Sequence, residues 1–166
     1  MTAAESYFLQ AEATLYGWLN GGSTATAKTL YQHGITASFE YLNVGGSAAD
    51  ADAAAQAYYS QNTNFVAFPT SASVDSLDHT IIEQKWAALN GINASVPYND
   101  WRKTFMPAFN TGYPLVPVSI SSSNTQAHMP FRYLYPTEEA NNNNLSWTNA
   151  GGPSIDPFSN KIFWMP

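Results

Sequence analysis

Cysteine is absent from this chain of 166 residues. That excludes disulfides, thiol nucleophiles, thiolate metal sites and lipid-modified cysteine within the sequence, and it fits any compartment. Charge is scarce as well. Charged residues make up 11% of the chain, against about 25% in an average soluble protein, so the polar surface is built mainly of Ser, Thr, Asn and Gln. Basic residues are the rarest class. Six Lys and Arg face twelve Asp and Glu, a net charge of −6, and a chain this acidic repels phosphate backbones; no nucleic-acid partner is expected. No run approaches the roughly 18 consecutive apolar residues needed to span a bilayer. The start, Met1-Thr2-Ala3-Ala4-Glu5, lacks the basic opening and apolar stretch of a secretory signal. What is present is 45% hydrophobic and 14% aromatic residues, which excludes wholesale disorder and suffices for one domain with a real core.

Thr2-Ala3-Ala4-Glu5 has the form of a capping box, in which hydroxyl and carboxylate each satisfy an orphan backbone N–H. Behind it Ala4, Phe8, Ala11, Leu15 and Trp18 recur at helical spacing until Asn20-Gly21-Gly22. A second helix is expected from Ser23 or Thr24 to about Leu42, burying Leu30, Ile35, Phe39 and Leu42, with Gly34, Ala37 and Ala11 permitting close approach. The two form an antiparallel hairpin of the tetratricopeptide-like kind, and one such unit cannot bury both of its faces. Val44-Gly45-Gly46 breaks the chain before an alanine-rich helix over 48–59, and 65–69 closes that section as extended chain. Asp78 is expected to cap a helix through Ile81, Ile82, Lys85, Trp86 and Leu89. Ser95 caps another, with Pro97 in its first turn, Trp101 and Phe105 following, and Pro107 ending it. Helical periodicity then disappears. Most of the ten prolines lie from Pro107 onward, and 107–166 reads as ordered loop with short strands at 115–120 and 132–135, held by aromatic residues. The expected fold is therefore mostly α: a helical hairpin with further helices over 1–106, and a loop-rich aromatic region over 107–166 packed on them as a single domain.

Motifs for chemistry are few. His33, His79 and His128 are far apart and lack HxxxH or HxxE spacing, so zinc ligation is not expected. No GxSxG, Walker loop or GxGxxG occurs, which removes the motifs of serine hydrolases, nucleotide hydrolases and dinucleotide cofactors. Gly21-Gly22 and Gly45-Gly46 read as helix stops. A glycosidase needs two carboxylates flanking the sugar; Asp100, Glu138, Glu139 and Asp156 are available, as in any acidic chain, and no catalytic residue is assigned. Glu83, near Lys85, reads as part of a solvated helix face. Glu138, Glu139 and the asparagine run at 141–144 could offer oxygens to calcium, but without EF-hand spacing they read as a polar loop. A flat aromatic ring can cover the apolar face of a pyranose. Trp18, Trp86 and Trp101 lie on apolar helix faces and read as core. Trp147, among asparagines, has the polar neighbourhood of a sugar site and could equally anchor a loop; it is the one candidate ligand contact.

Six segments, in order, resemble one family. Met1-Thr2-Ala3-Ala4-Glu5 with Phe8-Leu9 and Ala11-Glu12-Ala13 resembles the "T-x-AE…LLAEA" helix of the SusD/RagB outer-membrane lipoproteins. Tyr31 with Gly34-Ile35 and Ala37-Ser38 resembles "Y-x-x-GI-x-AS", and Gln84-Lys85-Trp86 with Ala88-Leu89 resembles "QKW-x-AL". Tyr98-Asn99-Asp100-Trp101-Arg102-Lys103-Thr104 is similar to "YNDWRRTG(F/Y)P". Pro130, Arg132 and Tyr133-Leu134-Tyr135-Pro136, followed by Glu139 and Asn141, are similar to "P-x-R-x-x-YP-x-x-E-x-x-N". Lys161-Ile162-Phe163-Trp164 resembles the closing "K-(V/I)-(F/W)-W". The chain departs where Phe105-Met106 replace the Gly-aromatic pair before Pro107 and a separate Gly112-Tyr113-Pro114 follows.

The resemblance covers the C-terminal part of the family pattern, whose members are longer and begin with a lipoprotein signal and an acylated Cys. On that reading the chain is a piece of a longer protein, with Met1 matching an internal Met. It implies a non-catalytic lipoprotein at the outer surface of the outer membrane. Such a protein captures oligosaccharides, sometimes peptides, for a TonB-dependent SusC-like transporter, touches the membrane only through a lipid anchor absent from this chain, and needs no cofactor. The family's glycan contacts lie mostly outside the matched segment, so no ligand residue is carried over. Trp86 and Trp101 are implied as core, and Asp100 or Arg102 as buried polar partners that fix loops. Two other classes stand beside it: a fragment of a glycan-processing enzyme, and a stand-alone helical interaction module.

Overall fold

The computed structural model describes residues 1–105, 112–118, 120 and 128–165. Among them are seven α-helices and no strand: α1 (Ala3–Leu15), α2 (Thr24–Tyr41), α3 (Ala48–Tyr59), α4 (Val74–Leu89), α5 (Ser95–Thr104), α6 (Thr137–Asn142) and α7 (Asn144–Asn149). The chain falls into two compact units, residues 1–100 and 101–166, with the boundary inside α5.

In the first unit α1 begins at the expected capping box. Thr2 Oγ1 accepts from Glu5 N at 3.1 Å, and Thr2 N donates to the Glu5 carboxylate at 3.4 Å. Ala4, Phe8, Ala11 and Leu15 are buried as their spacing predicts. Trp18 is not; it is 76% exposed. The helix stops at Leu15, so the 3.6-residue period no longer governs position 18, and the indole stacks on Tyr16 in the turn instead. Ser23 caps α2 by accepting from Thr26 N. The buried stripe of α2 is Ala27, Tyr31, Gly34, Ile35, Ala37 and Ser38. Leu30 and Phe39 are half-buried, and Leu42 is the exposed C-cap rather than a core residue.

The hairpin is antiparallel, with Tyr7 against His33 and Phe8 against Tyr31. It closes tightly because Gly34 has no side chain. A Cβ there would stand 2.9 Å from two carbons of the Phe8 ring. Gly34→Ala must therefore push a fully buried ring aside, at about 1–3 kcal/mol of stability by urea unfolding; a loss below about 0.5 kcal/mol would contradict this packing.

The open faces of the hairpin are covered by α4, which packs on α1 and α2, and by α3, which packs on α2. The α4 helix starts one turn earlier than Asp78, because the Ser73 hydroxyl caps it by accepting from Ser76 N. Asp78 instead lies inside the helix, buried, accepting from the Tyr16 hydroxyl at 2.9 Å. Glu83, expected on a solvated face, is buried and lies 2.9 Å from His79 Nε2. An amphipathic reading fails on α4 because Leu77, Asp78, Thr80–Lys85 and Leu89 are all buried, leaving little of the helix to water. Trp86 is only half-buried.

Residues 65–69 are not extended: a turn over 64–66 replaces the expected straight chain. In the second unit, 132–135 and the described part of 115–120 form no strand. Pro114, Pro117, Pro130 and Pro136 remove ladder donors within and beside these runs. The helix stop proposed at Pro107 and the Met106 departure lie outside the described residues, as does Ser119. Trp101 is buried, as read from sequence, beside Phe105, His128 and Phe131.

Candidate functional site

Five of the six resembling segments meet in two clusters. In the first unit Lys85, fully buried, places Nζ 2.5 Å from Glu12 Oε2 and 3.0 Å from Asp100 Oδ2. Three segments distant in sequence thus share one ion triad: Ala11-Glu12-Ala13 on α1, Gln84-Lys85-Trp86 on α4 and the Asn99-Asp100 pair on α5. Burying the Lys85 ammonium is tolerable because it is met by opposite charge on both sides. In the second unit Phe131 stacks on His128 at 4.5 Å and meets Phe105 edge-on at 4.8 Å. Lys161 lies 5.2 Å over the Phe105 ring, and Arg102 lies 5.0 Å over Trp164 while donating to the Phe131 carbonyl. These contacts tie the fourth, fifth and sixth resembling segments together. These contacts fasten the fold.

A cleft opens elsewhere in the first unit. Where α3 ends, the chain enters a loop whose Phe65 has φ +61°, a left-handed conformation that costs a non-glycine residue about 1–2 kcal/mol. The neighbouring helices hold it there. Gln84 Nε2 donates to the Phe65 carbonyl at 2.7 Å, and the Tyr31 hydroxyl donates to the Val66 carbonyl at 2.7 Å. The Tyr58 hydroxyl in turn donates to Gln84 Oε1 at 3.1 Å. Burial, and secondarily Tyr58, pushes the Tyr31 hydroxyl well above the ordinary tyrosine value, so it stays a donor at any physiological pH.

The pinned loop walls a half-open cleft of about 360 Å³ between α2 and the end of α3, within the usual range of small-ligand pockets. Tyr31, Ala67 and Phe68 supply its apolar lining. Lys28, Gln32, Tyr59, Gln61 and Asn62 supply amides, a phenol and an ammonium. Among the described residues no Asp or Glu lines it, so these groups can bind by hydrogen bonding and ring contact and do not include the carboxylate pair of a glycosidase.

The residues singled out from sequence are placed elsewhere. Trp147 lies half-buried on α7, its indole against Gly152, where it leaves no room for a Cβ. Glu138 and Glu139 open α6, and Asn143 Nδ2 donates to Glu139. Asp156, exposed, accepts from the Ser159 hydroxyl and from Phe158 N, which hold its carboxyl below the usual range. His33 rests on Tyr7, His79 pairs with Glu83, and His128 is buried in the aromatic cluster. Among the described residues no three His, Asp or Glu side chains are placed to hold a metal ion. Sequence reading missed Glu12 and the whole cleft. One signal was available for both: Lys28 and Lys85 are the only Lys or Arg residues in 1–100, so each has a specific place to be found.

Comparison with known proteins agrees with the motifs. No curated protein and no solved structure matches the chain. A family model described as SusD-like, SusD and RagB outer membrane lipoprotein, matches residues 1–164. The helical hairpin with its covering helices agrees with the tetratricopeptide-like helical fold of that family, whose members are non-catalytic binding lipoproteins. The chain belongs to the SusD-like family of outer-membrane lipoproteins.

Proposed function

We propose that this protein captures oligosaccharides at the outer surface of the outer membrane and presents them to a TonB-dependent, SusC-like transporter, without turnover of its own. The observation that carries this reading is the family match over 1–164. The cleft is consistent with it, because amides, a phenol and ring faces are the groups that recognise a sugar. In this role the first unit acts as a rigid frame, fixed by the Lys85 triad, and binding energy comes from hydrogen bonds and aromatic contact.

Affinity electrophoresis against a panel of neutral and acidic polysaccharides, paired with chromatography of the incubated sugars, tests this reading. At least one polysaccharide is expected to retard the protein, and the sugars are expected to be recovered intact. New reducing ends accumulating in excess of protein would make it an enzyme, and a protein retarded by no glycan would end the capture reading. Trp147→Ala, run alongside, reports whether that ring contributes.

A further inference from the structure

We propose that the cleft between α2 and the α3–α4 loop takes an anionic sugar residue, one bearing a carboxylate or a sulfate, with Lys28 as its counter-charge. The proposal rests on the capture reading and names the class of sugar. Residues 1–100 hold nine acidic side chains and two basic ones. Lys85 is buried and committed to Glu12 and Asp100. Lys28 is exposed, forms no ion pair among the described residues, and lines the cleft. In a unit so poor in cations, the position of the one exposed lysine is informative.

The net negative charge of the protein does not oppose this at short range. Solution at physiological salt screens charges beyond about 8 Å, and among the described residues no carboxylate lines the cleft. An anion at Lys28 therefore meets an ammonium first. Gln32, Gln61 and Asn62 can each donate and accept, which suits the vicinal hydroxyls of a sugar ring, and Tyr59 offers a flat half-buried face beside them. The wall is already in its binding shape. Phe65 is held in its left-handed conformation by Gln84, and Val66 by Tyr31, so little ordering remains to be done when a ligand arrives. The side chains that line the site include amides, a phenol and one ammonium, the groups that a sugar ring with a charged substituent would engage.

The experiment is calorimetric titration of the full chain with three probes: trigalacturonate, its fully methyl-esterified and hence neutral counterpart, and a sulfated galactose disaccharide. Trigalacturonate or the sulfated sugar is expected to bind at least tenfold more tightly than the neutral ester, and to weaken as salt is raised; which one binds identifies carboxylate or sulfate as the anion read. Lys28→Met is expected to abolish that preference and Lys28→Arg to keep it. Lys28 is exposed, so both variants should retain the parent's thermal unfolding. Equal binding of acid and ester, or a preference that survives Lys28→Met, overturns the anionic site while leaving capture intact. The same holds if neutral polysaccharides retard the protein and none of these three probes binds. Absence of binding to every glycan, charged or neutral, would remove the capture reading itself.

Discussion

Lys85→Met is expected to lower the unfolding free energy by about 3–5 kcal/mol, the usual cost of removing one partner from a buried ion pair. The side chain is fully buried, and its Nζ stands 2.5 Å from Glu12 and 3.0 Å from Asp100, whose side chains are 9% and 12% exposed. Methionine matches the length of the stem but leaves two carboxylates facing each other away from water. The loss belongs to the stranded charges rather than to the missing attraction. Adding Glu12→Gln and Asp100→Asn to Lys85→Met should therefore recover most of it. Urea unfolding of the single and triple variants, with hydrogen exchange on α1 and α4, reads both effects. A single variant within 1 kcal/mol of the parent, or a triple variant no more stable than the single, would show that the triad does not hold these helices.

Phe131→Ala should cost a similar amount in the other unit, about 3–5 kcal/mol. Phe131 is 4% exposed and its ring contacts His128, Phe105 and Trp101. Its backbone N–H also donates to the Pro157 carbonyl at 2.7 Å, bringing two stretches of loop together. With no strand and only short helices among the described residues after Thr104, this unit has few backbone ladders, and aromatic packing carries its order. The expected signature is loss of near-ultraviolet circular dichroism from the Trp101 cluster, with far-ultraviolet helical signal largely retained, because the longest helices lie in residues 1–100. A variant that kept its near-ultraviolet spectrum would contradict this account of the cluster.

Much of the helical frame was legible in the sequence because it is written in local signals. The Thr2–Glu5 box, the Ser23 cap and the Ala4-Phe8-Ala11-Leu15 stripe depend on neighbours three or four residues away, and each is found as read. What was misread depends on tertiary burial. Glu83 was read on a solvated face and Asp78 as a helix cap, yet α4 packs on α1 and α2 and both carboxylates are buried, Glu83 beside His79 one turn away and Asp78 under the Tyr16 hydroxyl. Trp18 looked like the end of a core stripe and lies beyond the end of its helix. The strands read at 115–120 and 132–135 needed partners that the prolines deny them. The cleft was invisible for a related reason. Its groups come from α2, from the end of α3 and from a loop shaped by the unusual φ of Phe65, and no spacing rule connects Lys28 to Asn62. The motifs that carried the family resemblance lie mostly where the fold is fastened, and of their residues only Tyr31 also lines the cleft.

Capture for a transporter is tested most directly by solubilising outer membranes of the source cells in mild detergent and immunoprecipitating with an antibody raised against this chain. The expected result is recovery from the outer-membrane fraction together with a large β-barrel protein, identified by mass spectrometry as a TonB-dependent transporter. Recovery of the protein from the soluble fraction without such a partner would contradict the proposed role.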